Sequence, residues 1–287
     1  MHGTGVPLVT PFDADGEIDE SKLRGMVEWV TERGVDFVVP CGSTSEAELM
    51  TTEERARVTE VVADAADVPV LAGTGHPGLA QTRRQTDLAA RAGADAALVV
   101  TPFYYNHDAD TLAAYYRDLA DGSDIPVYLY SVPVFTGVAL PPGTVSDLAT
   151  HPNVHGMKDS SGDLTAFQRE RAAASASEFD LLVGSGSIYA PALDAGADGG
   201  VLALANVAPA AASEVYRLHE AGETEAARRR NRELVELDTA VTARYGIPGL
   251  KAALRMRGAP AGHARSPFRP VGDDAAGELE DLLAVLD

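Results

Sequence analysis

Eight short apolar runs recur through the first 206 residues, and each of the first seven is followed by a longer amphipathic or alanine-rich stretch. The runs fall at 5–9, 36–40, 68–72, 96–100, 127–130, 155–158, 180–183 and 200–203. Helical patterns occupy 20–32, 53–66, 79–91, 111–121, 144–149, 164–177 and 187–195, with no Pro/Gly/Ser linker between them. Successive parallel strands need a crossover long enough to return the chain, and a helix is the usual one. Eight such units predict an α/β fold, a closed (β/α)₈ TIM barrel, with an open doubly wound sheet as the alternative. With 45% hydrophobic residues in 287, the chain can bury a full core as one large domain. After Asn206 the pattern is helical only, at 210–221, 223–244, 248–257 and 274–286. The expected organisation is a barrel over 1–206 and a C-terminal helical extension over 207–287 packed on it.

A barrel gathers its chemistry at the carboxyl ends of its strands. There the run Gly156-Met157-Lys158-Asp159-Ser160-Ser161-Gly162-Asp163 ends a strand on a lysine. Lysine is scarce here, the others being Lys22 and Lys251, and arginine carries almost all of the positive charge. A surface lysine is readily exchanged for arginine, whereas an amine nucleophile is not, because guanidinium stays protonated. Lys158 is therefore a Schiff-base candidate, against the alternative of an ordinary ion pair with Asp159. Closure would bring other strand-end groups beside it: Cys41-Gly42-Ser43-Thr44-Ser45-Glu46, Tyr104, Tyr130, Gly184-Ser185-Gly186-Ser187 and Asn206. The Gly42-Ser43-Thr44 turn could offer N–H and hydroxyl donors to a carboxylate, or simply cap a helix. Tyr130 could move a proton above a lysine-bound carbon, or pack as strand aromatics commonly do. That convergence favours Lys158 as the nucleophile.

Other chemistries fit less well. A net charge of −20 repels phosphate backbones and anionic lipid, which argues against nucleic-acid and membrane partners. Acid scattered through the chain, with few lysines, reads as a protein from a salt-accumulating cell, where salt screens the repulsion. No run is long enough for a membrane helix and no signal segment opens the chain, so a cytoplasmic location is expected. Cys41 is the only cysteine, and seven scattered histidines show no paired ligand spacing, so neither metal nor cofactor is expected. Gly73-Thr74-Gly75-His76-Pro77-Gly78 matches a dinucleotide fingerprint in letters only. It lies after the third run, and Asp95 would precede its strand where a ribose-binding acid follows one. These glycines read as close packing at the barrel top.

Colinear segments over nearly the whole chain carry a resemblance: Leu8-Val9-Thr10-Pro11-Phe12, Gly42-Ser43-Thr44-Ser45-Glu46, Thr101-Pro102-Phe103-Tyr104-Tyr105, Tyr130-Ser131-Val132-Pro133, the Lys158 stretch, and Gly196-Ala197-Asp198-Gly199-Gly200 with Ala205-Asn206-Val207. They resemble the dihydrodipicolinate synthase / N-acetylneuraminate lyase family of pyruvate-dependent class I aldolases, usually homotetrameric barrels. The resemblance implies that Lys158 forms an imine with the pyruvyl carbonyl and that Tyr130 shuttles protons above it. It implies that Gly42, Ser43 and Thr44 hold the carboxylate, and that Ser43 links Tyr130 to Tyr104 of a neighbouring subunit. It also implies that Ser185, Gly186, Leu202 and Phe135 border the substrate.

Departures from the family pattern narrow the substrate. Phe135 stands where similar dihydrodipicolinate synthases carry an arginine for a second carboxylate, and Ser185-Gly186-Ser187 replaces the acidic residues of sialic acid lyases. Ser45 replaces the usual glycine before Glu46. The Gly184-Ser185-Gly186, Leu204-Ala205-Asn206-Val207 and Gly246-Ile247-Pro248-Gly249 segments look more like 2-keto-3-deoxy sugar acid and 4-hydroxy-2-oxoglutarate aldolases. The expected reaction is cleavage of 2-keto-3-deoxygluconate to pyruvate and glyceraldehyde. The alternatives are 4-hydroxy-tetrahydrodipicolinate synthase, 4-hydroxy-2-oxoglutarate aldolase, and a keto-acid sensor that turns nothing over. Binding alone needs no covalent lysine, so Lys158 with Tyr130 argues against the sensor.

Overall fold

The computed structural model describes residues 1–286; Asp287, the last residue of the expected extension, lies outside the described residues. Eight parallel strands run β1 (Gly3–Pro7), β2 (Phe37–Val39), β3 (Leu71–Gly73), β4 (Ala96–Val100), β5 (Val127–Ser131), β6 (Val154–Asp159), β7 (Asp180–Val183) and β8 (Gly199–Val201). Their order is β2-β1-β8-β7-β6-β5-β4-β3. The Val38–Val70 bridge, with Val38 N–H donating to Pro69 O at 3.0 Å and Gly73 N–H to Pro40 O at 2.8 Å, brings the two end strands together. The result is a (β/α)₈ barrel and not an open sheet.

Helices α1 (Glu20–Thr31), α2 (Thr52–Ala65), α3 (Leu79–Arg91), α4 (Ala109–Ala120), α5 (Pro133–Thr136), α6 (Pro142–Leu148), α7 (Leu164–Ala173), α8 (Tyr189–Asp194) and α9 (Leu204–Val207) follow the strands. Local chemistry starts them. Asp19 accepts from Lys22 N–H, Asp108 from Thr111 N–H and Asp163 from Thr165 N–H, while Thr51 and Glu54 form a reciprocal capping box on α2. Leu23, Met26, Val27 and Val30 recur at helical spacing and give α1 its buried stripe. The single turns α5 and α9 are too short to leave a periodic pattern and were not expected from the sequence.

Strand alternation sorts the apolar residues into two clusters. Phe37, Val39, Leu71, Leu98, Tyr128, Tyr130, Leu182 and Val201 fill the lumen, while a much larger cluster lies between sheet and helices. After α9 come α10 (Pro209–Glu220), α11 (Thr224–Thr239), a π turn at Ala240–Arg244, α12 (Gly246–Met256) and α13 (Asp273–Leu283). Helix α10 lies against β1 and α8, α11 against α10, α8 and the Gly186–Ile188 turn, α12 against α9, and α13 against α12. No helix among the described residues is long and apolar enough to cross a membrane.

Candidate active site

Lys158 is 5% exposed on β6. Its neighbour Met157 belongs to the outer cluster, so alternation turns the lysine inward. In the β5–β6 register Lys158 pairs with Tyr130, and its Nζ sits 4.4 Å from the centre of the Tyr130 ring. The Tyr130 hydroxyl is 3.5 Å from Ser43 Oγ, at the outer limit of a hydrogen bond. Three predicted residues, from the turn after β2, from β5 and from β6, thus meet across the barrel mouth.

Gly184 completes this corner. Its N–H donates to Asp159 O at 2.6 Å, and a Cβ on it would lie 2.9 Å from Lys158 Cε and 1.8 Å from Ser160 Oγ. Only glycine leaves room for the lysine stem. Replacing Gly184 by Ala is expected to displace Lys158 and lower kcat at least about tenfold, because misplacing a reacting group by an ångström is costly. Unchanged steady-state kinetics in a folded Gly184→Ala protein would contradict that role.

A cavity of 320 Å³ opens beside Tyr130, lined by three of the predicted residues, Gly42, Ser43 and Phe135, and by Leu98, Val100 and Phe103. The C-terminal region contributes Ile247, Pro267 and Phe268 to its wall, and Arg55 and Glu46 border it from the β2 side. Arg55 is buried, with Nη2 donating to the carbonyls of Gly73 at 3.0 Å and Gly75 at 3.4 Å, and Nη1 3.9 Å from Glu48. This explains the Gly73-Thr74-Gly75 motif: a Cβ on Gly73 would be 2.0 Å from Cys41 O, and one on Gly75 would be 2.5 Å from Val100 N.

The residues Gly42 to Ser45 form a tight turn between two left-handed residues, Cys41 at φ 58° and Glu46 at φ 60°. Tyr104, at φ 78°, is the other described non-glycine residue with positive φ, and all three surround the mouth. Left-handed backbone at bulky residues is uncommon and is held only where its surroundings enforce it. Ser45 does part of this: its Oγ donates to Leu8 O at 2.5 Å and accepts from Gly42 N–H at 3.2 Å. Thr44, partly exposed, extends from the same turn.

Four predicted residues are placed otherwise. Tyr104 is 86% exposed on the rim, edge-on to Tyr105, and does not reach Ser43 or Tyr130 of its own chain. Leu202 packs in the outer cluster and Val201 faces the lumen, a one-residue displacement that inverts side-chain direction in a strand. Leu202 therefore has only its backbone to offer the site. Gly186 turns its bare Cα toward α11, where a Cβ would lie 2.6 Å from Asp238 Oδ1, and its carbonyl accepts from Asn231 Nδ2 at 2.7 Å. Ser185 precedes it, half-buried and outside the cavity lining.

Two buried charge clusters flank the site. Behind Lys158, Asp159 faces the helix layer, where burial pushes its carboxyl up. Glu170 on α7 is pushed up to about 8 by burial, then by the charges of Asp159 and Asp163. On the β2 side, Lys251 Nζ donates to Glu46 Oε1 at 2.5 Å, and burial, opposed by Glu46, lowers its ammonium to about 8. The scarcity of lysine that marks Lys158 marked Lys251 equally, but no strand-end context drew attention to it. Among the described residues no three His, Cys, Asp or Glu side chains converge as a metal site would require.

Comparison with known proteins agrees with this geometry. Residues 1–286 match the Dihydrodipicolinate synthetase family. A 4-hydroxy-tetrahydrodipicolinate synthase of Methanothrix thermoacetophila is 38% identical over 283 residues, 99% of this chain and 96% of that one. An uncharacterised DapA-like lyase of Halobacterium salinarum is 40% identical over 288 residues, 100% of this chain and 94% of that one. The structure of a chloride-inhibited dihydrodipicolinate synthase from Acinetobacter baumannii complexed with pyruvate superposes with a TM-score of 0.95 at 31% identity, covering 99% of this chain and 98% of that one. The chain belongs to the dihydrodipicolinate synthetase family, whose members are pyruvate-dependent lyases.

Proposed function

We propose that this family member cleaves a 2-keto-3-deoxy sugar acid such as 2-keto-3-deoxygluconate to pyruvate and glyceraldehyde. The observation that carries the reading is the placement of Lys158 Nζ 4.4 Å from the centre of the Tyr130 ring, with the Tyr130 hydroxyl in turn 3.5 Å from Ser43 Oγ and Tyr130 lining the 320 Å³ cavity. In the proposed reaction the Lys158 amine adds to the C2 carbonyl and water leaves to give an imine. Tyr130 removes the C4 hydroxyl proton, the C3–C4 bond breaks into the imine, and the aldehyde departs from an enamine. Protonation at C3 and hydrolysis release pyruvate and free the lysine. Ser43, Thr44 and the N–H groups of their turn hold the keto acid's carboxylate. Phe135, 70% exposed where a second carboxylate would want a cation, supports a neutral aldehyde fragment.

Tyr104 enters this reading from a neighbouring subunit of a homotetramer. Its exposure, with that of Tyr105 and Val134, supports a rim covered by another copy. A net charge of −20 and relatives in Halobacterium salinarum and Haloarcula marismortui support a halophilic protein, to be assayed in molar KCl. One observation favours a second reading. The guanidinium of Arg55 borders the cavity and could meet the carboxylate of aspartate semialdehyde or 4-hydroxy-2-oxoglutarate, in keeping with relatives named 4-hydroxy-tetrahydrodipicolinate synthase. The deciding experiment measures pyruvate release from both keto acids beside pyruvate-dependent consumption of aspartate semialdehyde. Fast release from the sugar acid is expected. Preference for a dicarboxylate or the semialdehyde, lost in Arg55→Leu, would replace the first reading with the second. Borohydride trapping of pyruvate without turnover of any substrate would make the chain a sensor.

A further inference from the structure

The pair formed by Lys251 of α12 and Glu46 of the β2 loop is fully enclosed, their side chains 1% and 0% exposed. All three Lys251 ammonium protons are used: Nζ donates to Thr10 O at 2.6 Å, Glu46 Oε1 at 2.5 Å and His263 O at 2.7 Å. The other Glu46 oxygen accepts from Arg265 N–H at 2.7 Å. The ammonium also lies 4.8 Å from the centre of the Phe12 ring. Stability alone does not account for this arrangement. Burying an ion pair costs most of what the pair returns, so apolar residues of similar size would hold these segments together as well or better. And Glu46 is the left-handed residue that ends the Ser43–Thr44 turn, a backbone state that an L residue keeps only when other contacts enforce it.

We infer that Lys251 is a positioning residue for keto-acid recognition: by anchoring Glu46, it holds the Gly42–Ser45 turn with its donors facing the substrate carboxylate. The C-terminal region is then part of the binding site without touching the substrate there. Lys251 ties the turn to α12, and Arg265 ties it to the following segment through Glu46 and through Glu54 at the start of α2. The same segment places Pro267 and Phe268 in the cavity wall. This inference rests on the proposed role of Ser43 and Thr44, and its test separates the two.

The protein is trapped with pyruvate and borohydride over a range of pyruvate concentrations, in wild type, in Lys251→Met/Glu46→Met and in Ser43→Ala/Thr44→Val. Replacing both charges avoids stranding one of them in the interior. In the ion-pair variant the half-saturating pyruvate concentration is expected to rise at least about tenfold while the trapping rate at saturation changes less than about threefold, the pattern of lost ground-state binding. A purely structural pair would lower the melting temperature and leave half-saturation unchanged, which overturns the inference. Weakened pyruvate binding in the Ser43/Thr44 variant alone would overturn it while leaving the carboxylate reading intact. Unchanged binding in both variants would remove the reading and the inference together. Should the double methionine variant not fold, Glu46→Gln keeps the shape but only one of the two accepted hydrogen bonds, its amide nitrogen facing either the Lys251 ammonium or Arg265 N–H. It is expected to raise half-saturation at least about threefold through the lost charge and the lost acceptor; wild-type half-saturation in that protein overturns the inference equally.

Discussion

Lys158→Ala is expected to abolish turnover, lowering kcat by roughly 10⁴-fold or more, because an imine route has no substitute for its amine. The same protein should take up no mass from pyruvate and borohydride, whereas wild type gains one pyruvyl adduct. Lys158→Arg should be equally inactive, although it keeps the charge, because guanidinium does not surrender a proton to become a nucleophile. Folding should survive both changes. The lysine stem is buried, but its head lies over the Tyr130 ring, and no carboxylate among the described residues is hydrogen-bonded to it. Near-wild-type turnover of either variant would sink the Schiff-base assignment, and with it the proposed function. Trapping at a different lysine would do the same, and Lys22 and Lys251 are the only other lysines to examine.

The largest stability effect is expected from Glu170→Gln. Glu170 is buried on α7, its Oε2 has no hydrogen-bond partner among the described residues, and the nearby charges of Asp159 and Asp163 are of its own sign. Its carboxyl is therefore pushed up to about 8, by burial first and by those acids second. In the unfolded chain it would ionise near its ordinary value of 4.5. The folded state holds the proton more tightly, so the contribution is fully present below about pH 4.5 and is lost as pH rises toward 8. At about 1.4 kcal/mol per unit, and allowing for relaxation around the charge, about 3 kcal/mol is lost across that window. Glutamine keeps the shape and cannot ionise. Glu170→Gln should match wild type in denaturant midpoint at pH 5 and exceed it at pH 8.5. Parallel stability curves for the two proteins between pH 5 and 9 would show that the folded state does not favour a protonated Glu170.

The consequence reaches the site, because Asp159 follows Lys158 on β6. Asp159 accepts from Ser161 N–H at 3.1 Å and Ser161 Oγ at 2.6 Å, which fastens the loop after the strand. An ionised Glu170 behind it would add like charge to a buried carboxyl and loosen the strand end that carries the lysine. The Gln variant should therefore retain activity further into the alkaline range than wild type.

The α/β alternation was legible because each element carries its own periodicity. Strands at 96–100 and 180–183 and the helix at 79–91 fall where expected, since apolar runs and turn residues bound them locally. Boundaries moved where partners outside the segment decide them. The run at 68–72 is observed as a strand only from Leu71 to Gly73, its earlier part joining β2 by a single bridge, because closure of the barrel is a contact between β2 and β3 that neither sequence specifies alone. The expected run at 5–9 ends at Pro7, after which Val9 N–H donates to Asn206 Oδ1 and leaves the sheet.

For the site, residue chemistry by itself identified Lys158 as an unusual lysine, and motif order pointed to Tyr130, Ser43, Gly42 and Phe135, which the structure gathers around one mouth. Those positions are readable because strand ends and short loops put specific side chains at predictable places. Only the tertiary structure could show that Leu202 turns away and Val201 inward, since a period of two makes adjacent residues indistinguishable in a short apolar run. Only it could place Arg55, Phe268 and Glu46 at the same cavity and join Glu46 to Lys251, 205 residues away in the chain, because these groups meet through packing between α2, α12 and the C-terminal segment. Local sequence determines which element a residue joins and which chemistry it carries; which distant side chain it meets is set by closure of the barrel and by the helices packed across its mouth.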